Sequence, residues 1–357
     1  MGKVLMKGNE VIGESAIKAG CHYFFGYPIT PQSELVAYMA KRLPEVGGLF
    51  LQAESEVSAI NMVYGAASAG VRVMTSSSSP GFSLKQEGIS FLAAANLPAV
   101  IVNIARGGPG LGNIQPAQSD YFQVTKGGGH GDYYTPVLAP STLQEIVDLT
   151  QEAFRIADQY RTPVILLGDG VLGQMMEPVE FKETSEEMHL FEKDWATTGT
   201  VGDGPPKTIT SLDLNDVSLE ERNRKLQEKY ETIKDQEVRV ESYKMDDAIY
   251  GIVAYGTVAR IVKSAVDRAR EAGMKVGLIR PISLWPFPSS YIRKLSEQLQ
   301  LNKLLTVEMS AGQMVEDVRL SVEGIVPVHF YGRNGGVIPT VDEIYQEILK
   351  LKYGVMV

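Results

Sequence analysis

The chain has 357 residues, a formal charge of −9 at pH 7, 44% hydrophobic residues and one cysteine. No stretch approaches the roughly 18 unbroken apolar residues of a membrane span. No lysine/arginine cluster marks a nucleic-acid surface, and Cys21 alone makes neither an internal disulfide nor a zinc or iron–sulfur site. The opening MGKVLMKGNEVIGESAIKAG lacks the apolar core of a secretory signal, so a cytoplasmic location is expected.

In chain order, the first unit is the apolar run Cys21–Phe25 followed by GYPITPQSE (26–34), which reads as strand, tight loop and helix start. Pro31 suits a first helical turn and Thr30 is predicted as the N-cap. Such a junction gathers backbone N–H groups that can hold an anion, although a plain helix cap accounts for the same residues. The stretch 49–70 then places Glu54 and Glu56 between an apolar run and a helix of small residues. Acidic side chains in a first turn are stabilised by the helix dipole whether or not they do chemistry.

Three further strand-like runs follow at 71–75, 98–104 and 162–168, so apolar that both faces should be covered. The first leads through TSSSSPG (75–81) to a helix predicted over 83–95. The second leads into RGGPGLGNIQ (106–115), where four glycines let the backbone approach a ligand and Arg106 offers a planar fork suited to a carboxylate. If the strands are parallel, the loops 26–30, 54–56, 75–81 and 106–115 share the carboxyl edge at which open α/β sheets bind ligands. A helix begins near Ser141, where Ser-x-x-Gln predicts a capping box.

Periodicity is lost over 182–212, read as linker. In 213–247, 18 of 35 residues are charged, yet Leu219, Leu226, Tyr230 and Ile233 fall on one stripe, predicting a long helix across a surface. Alternation then resumes, with strands at 251–255, 275–280, 303–308 and 326–331, a helix over 257–272 and a closing helix from Val341. The organisation expected is α/β, with doubly wound domains over 1–181 and 248–357 joined by 182–247.

Several signals are incomplete. Gly168-Asp169-Gly170 follows a strand, as half of a thiamine-diphosphate/metal motif would, but no asparagine occurs between Asn113 and Asn215 to complete it; a second Gly-Asp-Gly at 202–204 follows no strand. GGPGLG and KGGGHG are not phosphate loops. Histidines 22, 130, 189 and 329 show no metal spacing, and His130 sits among glycines in a loop.

GYPITPQSE, ESEVSAINMVYGAASAG, TSSSSPG, NIARGGPG and EMSAGQMVEDVR (308–319), in this order over almost the whole chain, resemble the α subunit of the 2-oxoacid:ferredoxin oxidoreductases. The resemblance implies a pyrimidine-binding domain of the thiamine-diphosphate fold followed by a smaller transketolase-C-like domain. It implies that Glu56 contacts N1′ of the aminopyrimidine, that Thr30 and Arg106 hold the 2-oxoacid, and that Tyr27, Pro28, Pro80 and Gly81 contact the cofactor. Thiamine diphosphate would be shared with a β subunit that carries the diphosphate site, with Mg and iron–sulfur clusters on partner subunits only. Further partners implied are γ and ferredoxin-like δ subunits, ferredoxin, CoA and the 2-oxoacid. RGGPGLGNIQP and TSSSSPG look most like the branched-chain, 2-oxoisovalerate branch; the 2-oxoglutarate and generic forms usually read RGGPSTG and TSGPG. A 2-oxoglutarate or generic member and a self-contained thiamine-diphosphate decarboxylase or transferase stand as alternatives.

Overall fold

The computed structural model describes residues 2–181, 191–199 and 206–354. Parts of the expected linker, His189 and the Gly-Asp-Gly at 202–204 lie outside the described residues.

A seven-stranded sheet carries the first half of the chain. Its centre is Ala99–Ala105, buried at every position, flanked in parallel by Val73–Ser77 and Pro163–Asp169. Tyr23–Gly26 and Leu49–Gln52 extend it on one side, also in parallel, and Val137–Leu138 on the other. Helices cover both faces, which is why the central strands are continuously apolar rather than alternating. Parallel order places all four loops expected to converge at one carboxyl edge.

A five-stranded sheet follows, in the order Val328–Gly332, Lys303–Glu308, Tyr250–Val253, Val276–Pro281 and Val240–Tyr243, parallel except for the last. Side chains alternate across it. Ile252 and Leu278 face a core shared with helices Gly256–Glu271 and Val341–Tyr353, whereas Val253 and Ile279 join the large core of the first sheet.

Four local readings need correction. Val240–Tyr243, inside the stretch read as a connecting segment, is an edge strand, and the long helix stops at Gln236. Leu226, Tyr230 and Ile233 on that helix are buried as expected, but Leu219 is exposed. The cap before Leu143–Tyr160 is Thr142, whose hydroxyl accepts from Glu145 N, while Glu145 reaches back to Ser141 N. The helix expected from residue 83 begins at Ser79. A short strand, Ser283–Trp285, returns from the second half of the chain to pair antiparallel with Val137–Leu138. Trp285 stacks on Tyr134 with ring centres 5.0 Å apart and meets Tyr230 edge-on at 5.5 Å, fastening the long helix to the first sheet.

Candidate active site

Thr30 is not a helix cap. Gln32 N donates to the Ile29 carbonyl, closing a turn, and the helix starts only at Ser33. The Pro31 carbonyl accepts from Asn9 Nδ2 at 2.8 Å and from Gln174 Nε2 at 3.2 Å, so tertiary bonds hold this loop where a local cap was expected. Gln32 is buried and spans two loops: its Nε2 donates to the Tyr27 carbonyl, and its Oε1 accepts from Ser76 Oγ. Tyr27 is half-buried, and Pro28 and Thr30 are exposed.

Arg106 meets Thr30 through the backbone. Its Nη1 donates to the Thr30 carbonyl at 2.8 Å and its Nη2 to the Leu111 carbonyl at 3.1 Å. Arg106 is 6% exposed, and its Nε is buried with no partner among the described residues. Arg106 therefore clasps two loops together while keeping part of its fork unused.

Beneath it the TSSSSPG loop is fixed by side chains that local sequence signals do not mark. Ser79 adopts φ +23°, a backbone state serine rarely holds, at a cost of about 1–3 kcal/mol. Its N–H donates to Asn103 Oδ1 at 3.1 Å, its hydroxyl donates to Asp120 Oδ2 at 2.7 Å, and the Arg106 N–H donates to Ser79 Oγ at 2.9 Å. Asn103 Nδ2 completes the ring by donating to Asp120. Burial pushes the Asp120 carboxyl up despite the hydrogen bonds from Ser79 and Asn103 and the charge of Arg106. Ser79, Pro80 and Asp120 open onto a cleft of about 860 Å³, whose far wall includes Gln313 and Asn334.

Glu56 opens the helix Glu56–Ser68, capped by the Ser55 hydroxyl, and is buried. Its carboxylate lies against Gly81: a Cβ at that position would fall 2.4 Å from Glu56 Oε1 and 2.4 Å from Ser77 Oγ. Only glycine leaves room there. The Ser77 and Ser78 hydroxyls are buried without hydrogen-bond partners among the described residues. Glu54 is exposed and accepts from Ser58 Oγ.

The remaining motifs have structural positions. Asp169 is buried and accepts from Val171 N and Leu172 N, capping Gly170–Gln174. In EMSAGQMVEDVR, Glu308 accepts from the N–H groups of Gln313, Met314 and Val315, Gln313 Oε1 accepts from Phe122 N, and Asp317 accepts from Tyr121 and Lys126. That segment joins the second sheet to the floor of the cleft. His130 is exposed. No helix among the described residues is long and apolar enough to cross a membrane.

The parallel sheet with a buried glutamate against a glycine at its carboxyl edge, joined to a second α/β sheet, matches the thiamine-diphosphate-binding class of α/β enzyme domains. The chain belongs to the pyruvate and 2-oxoacid:ferredoxin oxidoreductase family. Residues 14–243 match the pyruvate flavodoxin/ferredoxin oxidoreductase thiamine-diphosphate-binding family, and residues 248–344 match core domain II of pyruvate:ferredoxin oxidoreductase. The chain is 52% identical to ketoisovalerate oxidoreductase subunit VorB of Methanothermobacter marburgensis, covering 98% of each chain. It is 37% identical to 2-oxoglutarate synthase subunit KorA of Methanothermobacter thermautotrophicus, covering 97% of this chain and 98% of that one. Among solved structures, 2-oxoglutarate:ferredoxin oxidoreductase from Magnetococcus marinus, with 2-oxoglutarate, coenzyme A and succinyl-CoA bound, superposes with a TM-score of 0.86 at 27% identity. The match covers 98% of this chain and 65% of that one. A split-gene transketolase, an inactive β4 tetramer, shares the fold alone, with a TM-score of 0.62 at 13% identity over 97% of this chain and 98% of that one.

Proposed function

We propose that this chain supplies the aminopyrimidine side of a thiamine-diphosphate site in a 2-oxoacid:ferredoxin oxidoreductase, and that its substrate is a branched-chain 2-oxoacid, 2-oxoisovalerate, converted with CoA to acyl-CoA, CO₂ and reduced ferredoxin. The observation that carries the reading is the buried Glu56 carboxylate pressed against Gly81 beside the Ser77 hydroxyl, which has no hydrogen-bond partner among the described residues. Those residues fit one end of the cofactor: a carboxyl for a ring nitrogen and a side-chain-free backbone for close approach. The higher identity to the ketoisovalerate relative than to the 2-oxoglutarate relative supports the branched-chain substrate.

On this reading Tyr27, Pro28, Pro80 and Gly81 shape the wall of the pyrimidine pocket, and Glu56 holds a proton at N1′. Bound thiamine diphosphate supplies the electron sink for decarboxylation of the 2-oxoacid. Arg106 orients the substrate carboxylate with the N–H groups that its clasp leaves free, and Thr30 adds a neutral donor. Over-stabilising a carboxylate about to be lost would slow its loss, so a fork partly committed to backbone carbonyls suits the task. A β subunit supplies the diphosphate and Mg site, and γ and ferredoxin-like δ subunits carry electrons through iron–sulfur clusters. Residues 1–181 form the pyrimidine-binding domain, and 248–357 the transketolase-C-like domain.

The test is a reconstitution titration followed by calorimetry and dye reduction. The isolated chain should bind thiamine diphosphate weakly and reduce no acceptor, with 2-oxoisovalerate-dependent turnover appearing as the partner subunits are added. Tight cofactor binding or turnover by the chain alone would favour the self-contained decarboxylase.

A further inference from the structure

Lys85 has no exposed surface, although it is a lysine on the helix Ser79–Ala94. It lies four residues after Gly81, so the two occupy one face of that helix, and Thr75 and Ser77 likewise occupy one face of their strand. The two pairs meet. The Gly81 backbone abuts Glu56 and Ser77, and Lys85 Nζ donates to Thr75 Oγ1 at 2.9 Å. One buried layer thus holds an ammonium, a carboxylate, two hydroxyls and a glycine between a strand and two helices.

Removing an ammonium from water is strongly unfavourable unless a counter-charge answers it. Among the described residues Lys85 has one hydrogen-bond partner, the neutral Thr75, and makes no direct ion pair. Burial pushes its ammonium down to about 7, and the charge of Glu56 is the influence that acts against this. A lysine needed only for packing would be replaced without loss by methionine, which fills similar volume and carries no charge.

We propose that Lys85 is the buried counter-charge of Glu56: a positioning residue whose ammonium holds that carboxylate at the loop edge and competes for it with the cofactor ring. The inference rests on the reading of Glu56 as the N1′ partner, and it adds a residue that acts through Glu56 without touching substrate. While the ammonium is charged, Glu56 is partly committed to it; once Lys85 loses its proton, Glu56 is free for N1′. Among the described residues, Glu56 on the neighbouring helix is the charged group that acts on Lys85, and the strand contributes the Thr75 hydroxyl.

A double-mutant cycle on the full chain tests the pairing without any activity assay. Glu56→Gln, Lys85→Met and their combination are compared by urea unfolding. Glu56→Gln strands the ammonium, so its effect on the unfolding constant should be about tenfold smaller when residue 85 is already methionine. A coupling below about twofold overturns the proposal. If Lys85→Met does not fold, Lys85→Gln takes its place in the cycle.

The second readout is exchange of the cofactor C2 proton for deuterium in the reconstituted complex as a function of pH. Exchange should rise through a limb near neutrality in the native chain, stay at the upper level in Lys85→Met and stay at the lower level in Lys85→Arg, which remains charged. A limb that persists in Lys85→Met, or is missing from the native chain, overturns the proposal. Unchanged exchange in Glu56→Gln, with the unfolding coupling present, overturns the catalytic reading of Glu56 and leaves the pairing supported.

Discussion

Arg106 Nη1 donates to the carbonyl oxygen of Thr30 at 2.8 Å, joining two loops 76 residues apart in sequence. A single guanidinium therefore ties the edge of the sheet together, with its buried Nε left without a partner among the described residues. Arg106→Ala in the reconstituted enzyme should lower kcat/KM for the 2-oxoacid by roughly 100-fold, while thiamine diphosphate affinity changes much less. Arg106→Lys should recover only part of the loss, since a point charge cannot reach two carbonyls and a carboxylate at once. An alanine variant with native kcat/KM would leave Arg106 with the loop clasp alone.

Glu56→Gln keeps the shape of the side chain but cannot pass a proton. Cofactor should still bind, and exchange of its C2 proton should slow by about 100-fold or more. Proton exchange followed by NMR checks this directly, because it requires neither substrate nor an electron acceptor.

Gly81→Ala probes the same contact from the other side. The added methyl would fall 2.4 Å from both Glu56 Oε1 and Ser77 Oγ, so the carboxylate or the loop must move. We expect a loss of about 1–3 kcal/mol in urea unfolding, typical of an overfilled core, together with weakened cofactor binding in the complex. A variant with native stability and native cofactor affinity would show that the loop yields freely.

Acid should loosen the junction between the sheets. Arg280 is buried and donates to both oxygens of Glu145, on a helix of the first sheet's layer, and to Glu241 on the edge strand of the second sheet. Burial raises the Glu145 carboxyl, but the hydrogen bonds and charge of Arg280, with those from Ser141, outweigh it and hold it below its ordinary value; burial also raises Glu241, and the hydrogen bond from Lys263 and then Arg280 outweigh it. A depressed carboxyl stabilises the fold fully above its unfolded value of about 4.3 and loses that contribution as pH falls through the lower folded value. The urea midpoint should therefore drop between about pH 5 and pH 3, and Arg280→Met should flatten part of that slope. An identical slope in the variant would place the acid sensitivity elsewhere.

The strands were legible wherever they are central. Ala99–Ala105 and Pro163–Asp169 are buried on both faces, so their apolar runs carry the signal by themselves. Glu56, Arg106 and Thr30 stood out because unusual residues lie at strand ends, and parallel order brings those ends to one edge. What the sequence concealed is non-local. Thr30 looked like a cap because nothing nearby shows Asn9 and Gln174 holding Pro31. The helix at Ser79 starts early because Asn103 and Asp120, distant in the chain, hold a serine at positive φ. Gln32 and Lys85 give no motif at all; only burial reveals that a polar group has been placed among neighbours that need it.

The strand Ser283–Trp285 lies beside Val137–Leu138, at the far edge of a sheet whose other members are all complete by Asp169. On the ribosome, then, the first sheet emerges with an unprotected margin, and the piece that covers it is not made until the second sheet is already being threaded. A growing chain in that state offers unpaired N–H and C=O groups to any passing strand. Shortening the protein to its first half would make that interval permanent, so such a fragment should precipitate or pair with itself, and a gene broken between the two sheets would need both products made together.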